Sequence, residues 1–106
     1  MAYTGSQRAF VEQRSEDRDE VQFRARASGP DNRALSLLVV NLSPNGMMAR
    51  CEDAFAPGDR LRVTLPVVGA MSAEVRWALG GRIGCQFESG IDRATYRELL
   101  ATVMQR

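Results

Sequence analysis

The chain is organised around a short polar hexapeptide, Asn-Leu-Ser-Pro-Asn-Gly, at residues 41–46. It joins two strongly apolar stretches, residues 34–40 and 47–51. Pro44 pre-sets φ at the second position of a β-turn, and Gly46 is a favoured fourth residue. The side chain of Ser43 can hydrogen-bond locally into such a turn. The hexapeptide therefore predicts a tight turn between two strands.

Outward from this turn, the chain shows six short segments with the apolar patterning and turn boundaries of strands. They cover residues 21–27, 34–42, 47–51, 60–65, 70–79 and 83–87. The second segment is apolar enough to be covered on both faces. Clusters of Gly, Pro, Asp and Asn separate the segments, including the hairpin signal Gly80-Gly81. Six strands at regular spacing predict a small mainly β domain, either a barrel or a sandwich.

The longest strand segment has a clear alternation that predicts its inward face. One set of alternating residues is apolar: Met71, Ala73, Val75, Trp77 and Leu79. The residues between them include Ser72, Glu74 and Arg76. Since successive side chains of a strand point to opposite faces, the alternation predicts that Trp77 lies in the core.

The apolar period changes to that of a helix only after Asp92, which is a suitable N-cap. The apolar positions that follow are Tyr96, Leu99, Leu100, Val103 and Met104. An apolar stripe of this kind predicts a C-terminal helix packed against the strands.

Length and composition restrict the function classes. At 106 residues, with a net charge of +1, the chain supports one domain without the global charge of a protein that binds nucleic acid polymers. It has no His, no nucleophile motif and no metal-ligand spacing around Cys51 and Cys85, so we expect neither an enzyme nor a bound metal or cofactor. No signal peptide or membrane-span pattern is present, which predicts a cytoplasmic protein with reduced thiols and no membrane insertion.

The polar N-terminal region carries two arginines four residues apart, Arg14 and Arg18. All fourteen basic residues of the chain are Arg, so an arginine here is meaningful only through its spacing and context. We expect residues 1–17 to form a flexible leader that runs into this Arg-x-x-x-Arg motif, and residues 18–106 to form the barrel and helix.

The motif in the leader, the Asn-x-Ser-x-x-Gly turn and the six-strand pattern together resemble the PilZ domain family. The family's two motifs are matched by Arg14 and Arg18 and by Asn41, Ser43 and Gly46. The resemblance covers roughly residues 13–90. It implies a six-stranded antiparallel β-barrel of the split-barrel type with a C-terminal α-helix. It also implies a bacterial receptor for the second messenger cyclic di-GMP.

By this resemblance, both arginines bind the ligand, Asn41 contacts a guanine edge, and Ser43 contacts a guanine or a phosphate. Gly46 permits a close backbone approach, and Trp77, if it is not in the core, offers an aromatic face to a guanine. An arginine fork matches guanine O6 and N7, or two phosphate oxygens, in a bidentate way. Asn41 stands where the family more often has Asp, and Gln13 stands where members often carry a further Arg.

The receptor hypothesis has two alternatives. The first is a PilZ-like module that interacts with a protein partner and binds no nucleotide. The second is a nucleic-acid-binding barrel, which would require exposed aromatic residues beside a basic groove. Under the receptor hypothesis, ligand binding orders the leader over the barrel and changes the surface that an unidentified protein partner meets.

Overall fold

The structure, a computed structural model, describes residues 18–104. It contains six strands and one helix. In chain order these are β1 (Asp19–Ser28), β2 (Ala34–Ser43), β3 (Gly46–Arg50), β4 (Arg60–Leu65), β5 (Gly69–Leu79), β6 (Arg82–Phe87) and α1 (Arg93–Val103). Every strand segment predicted from the sequence is present. The predicted leader, residues 1–17, lies outside the described residues.

The strands form a closed antiparallel barrel in the order β1-β2-β3-β6-β5-β4, and β1 pairs with β4 to complete it. This confirms the predicted barrel with its C-terminal helix and excludes the sandwich. The closing pair is short, with Ala27 opposite Val63 and Ser28 opposite Arg62. Inward side chains of the strands fill the barrel, and the helix adds Leu99 to the core. The largest fully buried strand side chains are Leu37, Leu42, Leu65, Val39, Val63 and Val75. Burial of each such side chain contributes about 1.5–3 kcal/mol to stability.

Strand β2 is buried on one face and covered in part on the other. Leu37 and Val39 are fully buried, whereas Leu38 and Val40 are half-buried. The expectation that both faces are covered therefore holds only in part, because the closed barrel has a single interior.

The register shifts at three places in the barrel. The shifts fall between Glu20 and Phe23 in the β1–β2 pair, between Val39 and Asn41 in the β2–β3 pair, and between Val75 and Trp77 in the β5–β6 pair. Each shift inserts an extra residue on one strand, so the alternation of inward and outward side chains changes phase beyond it.

The shift in β5 overturns the prediction for Trp77. Ala73 and Val75 are fully buried as predicted, but Trp77 is 42% exposed and Leu79 is 78% exposed. The alternation seen in the sequence assumes an unbroken strand. Beyond the bulge, the side chains that alternation predicts to point inward point outward instead. Trp77 therefore lies on the outer surface of the barrel.

The helix begins as predicted. The carboxylate of N-cap Asp92 accepts a hydrogen bond from the backbone N–H of Thr95 at 2.8 Å, which lowers the pKa of Asp92. Tyr96 and Leu99 are buried against the barrel, and Leu100 and Val103 pack beside them. Within residues 18–104, no helix is both long enough and apolar enough to cross a membrane.

Candidate functional site

A cavity of about 210 Å³ opens on the outer face of the barrel, beside the turn between β2 and β3. Among its lining residues are five positions that the sequence singled out: Arg18, Asn41, Ser43, Gly46 and Trp77. They come from the start of β1, from both arms of the β2–β3 hairpin and from β5. The sixth predicted position, Arg14, lies outside the described residues.

The pairing of four strands brings these residues together. Asn41 on β2 pairs with Met48 on β3, Met48 pairs with Gly84 on β6, and Gly84 pairs with Trp77 on β5. Side chains that are paired directly across neighbouring strands share a face of the sheet. The row therefore runs from the amide of Asn41 to the indole of Trp77 across the floor of the cavity. The register shifts in β2 and β5 put its two ends on the same outer face.

The indole of Trp77 lies directly over Gly84. A Cβ atom at position 84 would collide with the indole Nε1 and Cε2 atoms. Only a glycine at position 84 leaves room for the ring to pack against β6, where it forms one wall of the cavity. The exposed part of the ring presents a flat π-face to a ligand.

Gly46 allows a close approach between β3 and β6. A Cβ atom at this position would collide with the backbone carbonyl oxygen of Cys85. The neighbouring turn is fixed to the segment after β6 by two backbone hydrogen bonds. Phe87 N–H donates to the Asn45 carbonyl and Ile91 N–H donates to the Pro44 carbonyl, both at 2.8 Å. The turn is therefore a rigid edge of the cavity.

The two polar side chains on β2 are available to a ligand. The Ser43 hydroxyl oxygen accepts a hydrogen bond from Asn45 N–H at 3.3 Å, which confirms the predicted local bond. Its own O–H donates over a long 3.5 Å contact to the Gly46 carbonyl, so it can turn toward a better acceptor. The half-buried amide of Asn41 makes no hydrogen bond within the described part of the chain.

Arg18 is positioned by the residue that follows it. The Tyr96 hydroxyl on α1 donates a hydrogen bond of 2.7 Å to Asp19 Oδ2, and this contact joins the helix to the start of β1. Asp19 in turn pairs with Leu42, next to Ser43. Arg18 is exposed and makes no ion pair within residues 18–104. Within the described residues, no carboxylate competes with an anion for its guanidinium at the cavity.

The electrostatics of the cavity favour an anionic ligand. Its described lining contains two cationic side chains, Arg18 and Arg76, and no carboxylate. The Cys85 thiol also lines it, but burial raises the pKa of this thiol to about 12, so it stays neutral. Among residues 18–104 there is no cluster of side chains suited to hold a metal ion. The arrangement can bind an anion and stack an aromatic base.

Besides the buried Leu42, Met47 and Cys85, the lining contains three residues that the sequence did not assign to the site, namely Met48, Arg76 and Gly84. Met48 lies in the described row, and its position could have been inferred from the hairpin register. The alternation predicts that Arg76 faces outward, but its place beside the Trp77 indole and Gly84 could not be inferred, because it depends on the bulge between Val75 and Trp77. A tryptophan two residues after a buried valine gives no sign of a bulge in the sequence alone.

A second, larger depression of about 750 Å³ lies near the Gly80-Gly81 hairpin. Arg24 and Arg50 line it, but so do Glu52 and Asp53. The opposite charges balance, so this depression lacks the selectivity for anions that the smaller cavity has.

Comparison with known proteins identifies the family and supports the fold. The family model for the PilZ domain matches residues 12–105. Among solved structures, the chain resembles the PilZ domain of CeSA from a cellulose-synthesising bacterium, with a TM-score of 0.58 and 14% identity. The similarity covers 84% of this chain and 96% of that domain. No curated protein gives a significant match. The match over most of the chain shows that this protein belongs to the PilZ domain family.

Proposed function

We propose that this protein is a receptor for cyclic di-GMP that signals to a protein partner without catalysis. PilZ domains are known as receptors for this second messenger and are binding modules, not enzymes. The observation that carries the proposal is the cavity that gathers Arg18, Asn41, Ser43, Gly46 and Trp77. A bacterial, cytoplasmic setting is part of the proposal, and the two free thiols, Cys51 and Cys85, are consistent with it.

The lining of the cavity suits the two chemical groups of the ligand. The Asn41 amide provides both a donor and an acceptor for a guanine edge, and the Trp77 ring provides a stacking face. Arg18 provides a planar fork for guanine or phosphate, and the Ser43 hydroxyl can donate to either. No one of these groups is specific for the dinucleotide, but their combination fits a ligand with both guanines and phosphates.

The size of the cavity supports a role for the leader. Pockets that enclose drug-sized ligands have volumes of about 300–1,000 Å³. At about 210 Å³, this cavity leaves much of a cyclic dinucleotide uncovered. We propose that the leader, residues 1–17 with Arg14, covers the remainder, and that the partner recognises the covered state.

Titration of the wild-type protein with cyclic di-GMP tests the receptor function. Trp77 is the only tryptophan of the chain and is 42% exposed, so its emission reports on this cavity. We expect saturable heat in calorimetry and a parallel change in tryptophan emission at micromolar ligand. Cyclic di-AMP, which has the same phosphates but no guanine O6, is the matched control and is expected to bind much more weakly. Absence of both signals would leave the interaction module without nucleotide as the function.

Limited proteolysis tests the ordering of the leader. A protease specific for glutamate can cut after Glu12 and Glu16, which flank Arg14 and are not assigned to the ligand. We expect saturating cyclic di-GMP to slow cleavage at these two positions. Cleavage after the exposed Glu52, away from the cavity, serves as the internal control and should keep its rate. Equal leader cleavage with and without bound ligand would reject ordering, although binding itself would stand.

A further inference from the structure

A cation that the sequence motifs do not include lies in the cavity. Arg76 is exposed and lines the cavity beside Trp77. It is the extra residue at the register shift between Val75 and Trp77, so no residue of β6 is paired with it in the strand ladder. A bulge lets two successive side chains leave the strand toward the same side. As a result, both Arg76 and the indole line one cavity, which an unbroken strand would prevent.

The guanidinium of Arg76 is held in place without being neutralised. Its Nη1 donates a 2.7 Å hydrogen bond to the Gln86 Oε1 on β6. Arg60 provides the contrast, since its Nη1 lies 2.8 Å from Glu88 Oε2 and this carboxylate raises its pKa. The charge of Arg60 is compensated by Glu88, whereas Arg76 is held by a neutral amide and makes no ion pair within the described residues. Its charge is therefore available to an anion.

We propose that Arg76 is a phosphate-binding residue of this site, fixed on the barrel and independent of the leader. The proposal rests on the proposed function, because it assigns one phosphate of the dinucleotide to Arg76. Arg18 enters the cavity from the start of β1, and Arg76 enters it from β5. Two cations on different elements suit a ligand that carries two phosphates. Position 13 of the leader is a glutamine and provides no positive charge. Arg76 provides a positive charge from the barrel instead.

Calorimetric titration of full-length variants with cyclic di-GMP over a range of salt concentrations tests this assignment. We expect Arg76→Ala to weaken binding by about 10- to 150-fold, in line with the loss of a hydrogen bond to a charged group. The affinity of this variant should also depend less steeply on salt, because salt screens charge–charge contacts and one such contact is lost. Arg76→Lys should restore part of the affinity and the salt dependence. Arg62→Ala, which removes an exposed arginine from β4 away from the cavity, is the matched control and should bind like wild type.

A substitution at Gln86 tests separately whether Arg76 must be held by a neutral hydrogen-bond acceptor in order to bind the ligand. Gln86→Glu keeps the shape of the side chain but places a carboxylate on Arg76, so it should weaken binding nearly as much as Arg76→Ala. Thermal unfolding of each variant shows whether the barrel is intact.

The outcomes separate this proposal from the receptor function. If wild type binds and Arg76→Ala binds equally well, Arg76 is not a ligand contact and the receptor function stands. If affinity falls but the salt dependence does not change, Arg76 contacts a guanine and the phosphate assignment is wrong. If wild type does not bind, both proposals fail together.

Discussion

Replacement of Arg18 by alanine is expected to reduce the affinity for cyclic di-GMP by about 10- to 150-fold, the usual range for a hydrogen bond to a charged group. Arg18 lines the cavity, makes no ion pair within residues 18–104, and is exposed, so its loss should not disturb the barrel. Calorimetric titration measures the change, and the midpoint of thermal unfolding should match that of wild type.

Two further variants are needed to interpret the loss of affinity expected for Arg18→Ala. Arg62→Ala removes an equally exposed arginine that does not line the cavity, and its affinity should stay within about twofold of wild type. Ser43→Ala should reduce affinity by a smaller factor, since it removes a neutral hydroxyl. Binding that survives both Arg18→Ala and Ser43→Ala would show that the ligand binds elsewhere on the protein.

Replacement of Gly46 by alanine is expected to destabilise the barrel and to weaken ligand binding at the same time. The added methyl group would collide with the backbone carbonyl of Cys85, and a backbone atom cannot rotate away as the end of a side chain can. Strands β3 and β6 would have to separate beneath the cavity. Overpacking of this kind costs about 1–3 kcal/mol in the free energy of unfolding, which urea denaturation measures.

Gly29→Ala provides a matched control for this prediction. A Cβ atom at position 29 would lie 3.4 Å from Asp31 Oδ1 and 3.6 Å from Leu35 Cδ1, which are ordinary contacts. The same chemical change should therefore leave stability unchanged or raise it by about 0.4–1 kcal/mol through the unfolded chain. Equal stability of the Gly46→Ala and wild-type proteins would show that the β3–β6 contact can relax, and would contradict the structural requirement at Gly46.

The candidate site was predictable where its residues carry a local signal. The turn residues Ser43 and Gly46 sit between two apolar segments, and the structure has the hairpin where this pattern predicts it. Asn41 and Arg18 were singled out by their spacing within family motifs, and both line the cavity. Their roles toward the ligand stay predictions until binding is measured. The role of Arg14 also stays a prediction, because this residue lies outside the described part of the chain.

The site was not predictable where it depends on the pairing of two strands. The phase of alternation in β5 placed Trp77 in the core, and Arg76 looked like an ordinary solvated residue. A bulge places an extra residue on one strand opposite its partner, so it is a property of the pair and not of either strand's sequence pattern. The register shift between Val75 and Trp77 brings both residues to the cavity.

The sequence alone determined the six strands, the turn at residues 41–46 and the helix that starts after Asp92, because periodicity, turn residues and caps act over a few neighbouring positions. Tertiary structure decided which face each strand presents beyond its bulge, and so which side chains surround the cavity. Each of these shifts lies between two strands that are neighbours in the chain, but it depends on how the two strands pair and not on the pattern of either strand alone. For this reason the strands and the helix could be predicted from the sequence, whereas the wall formed by Arg76, Trp77 and Gly84 depends on the pairing of β5 with β6.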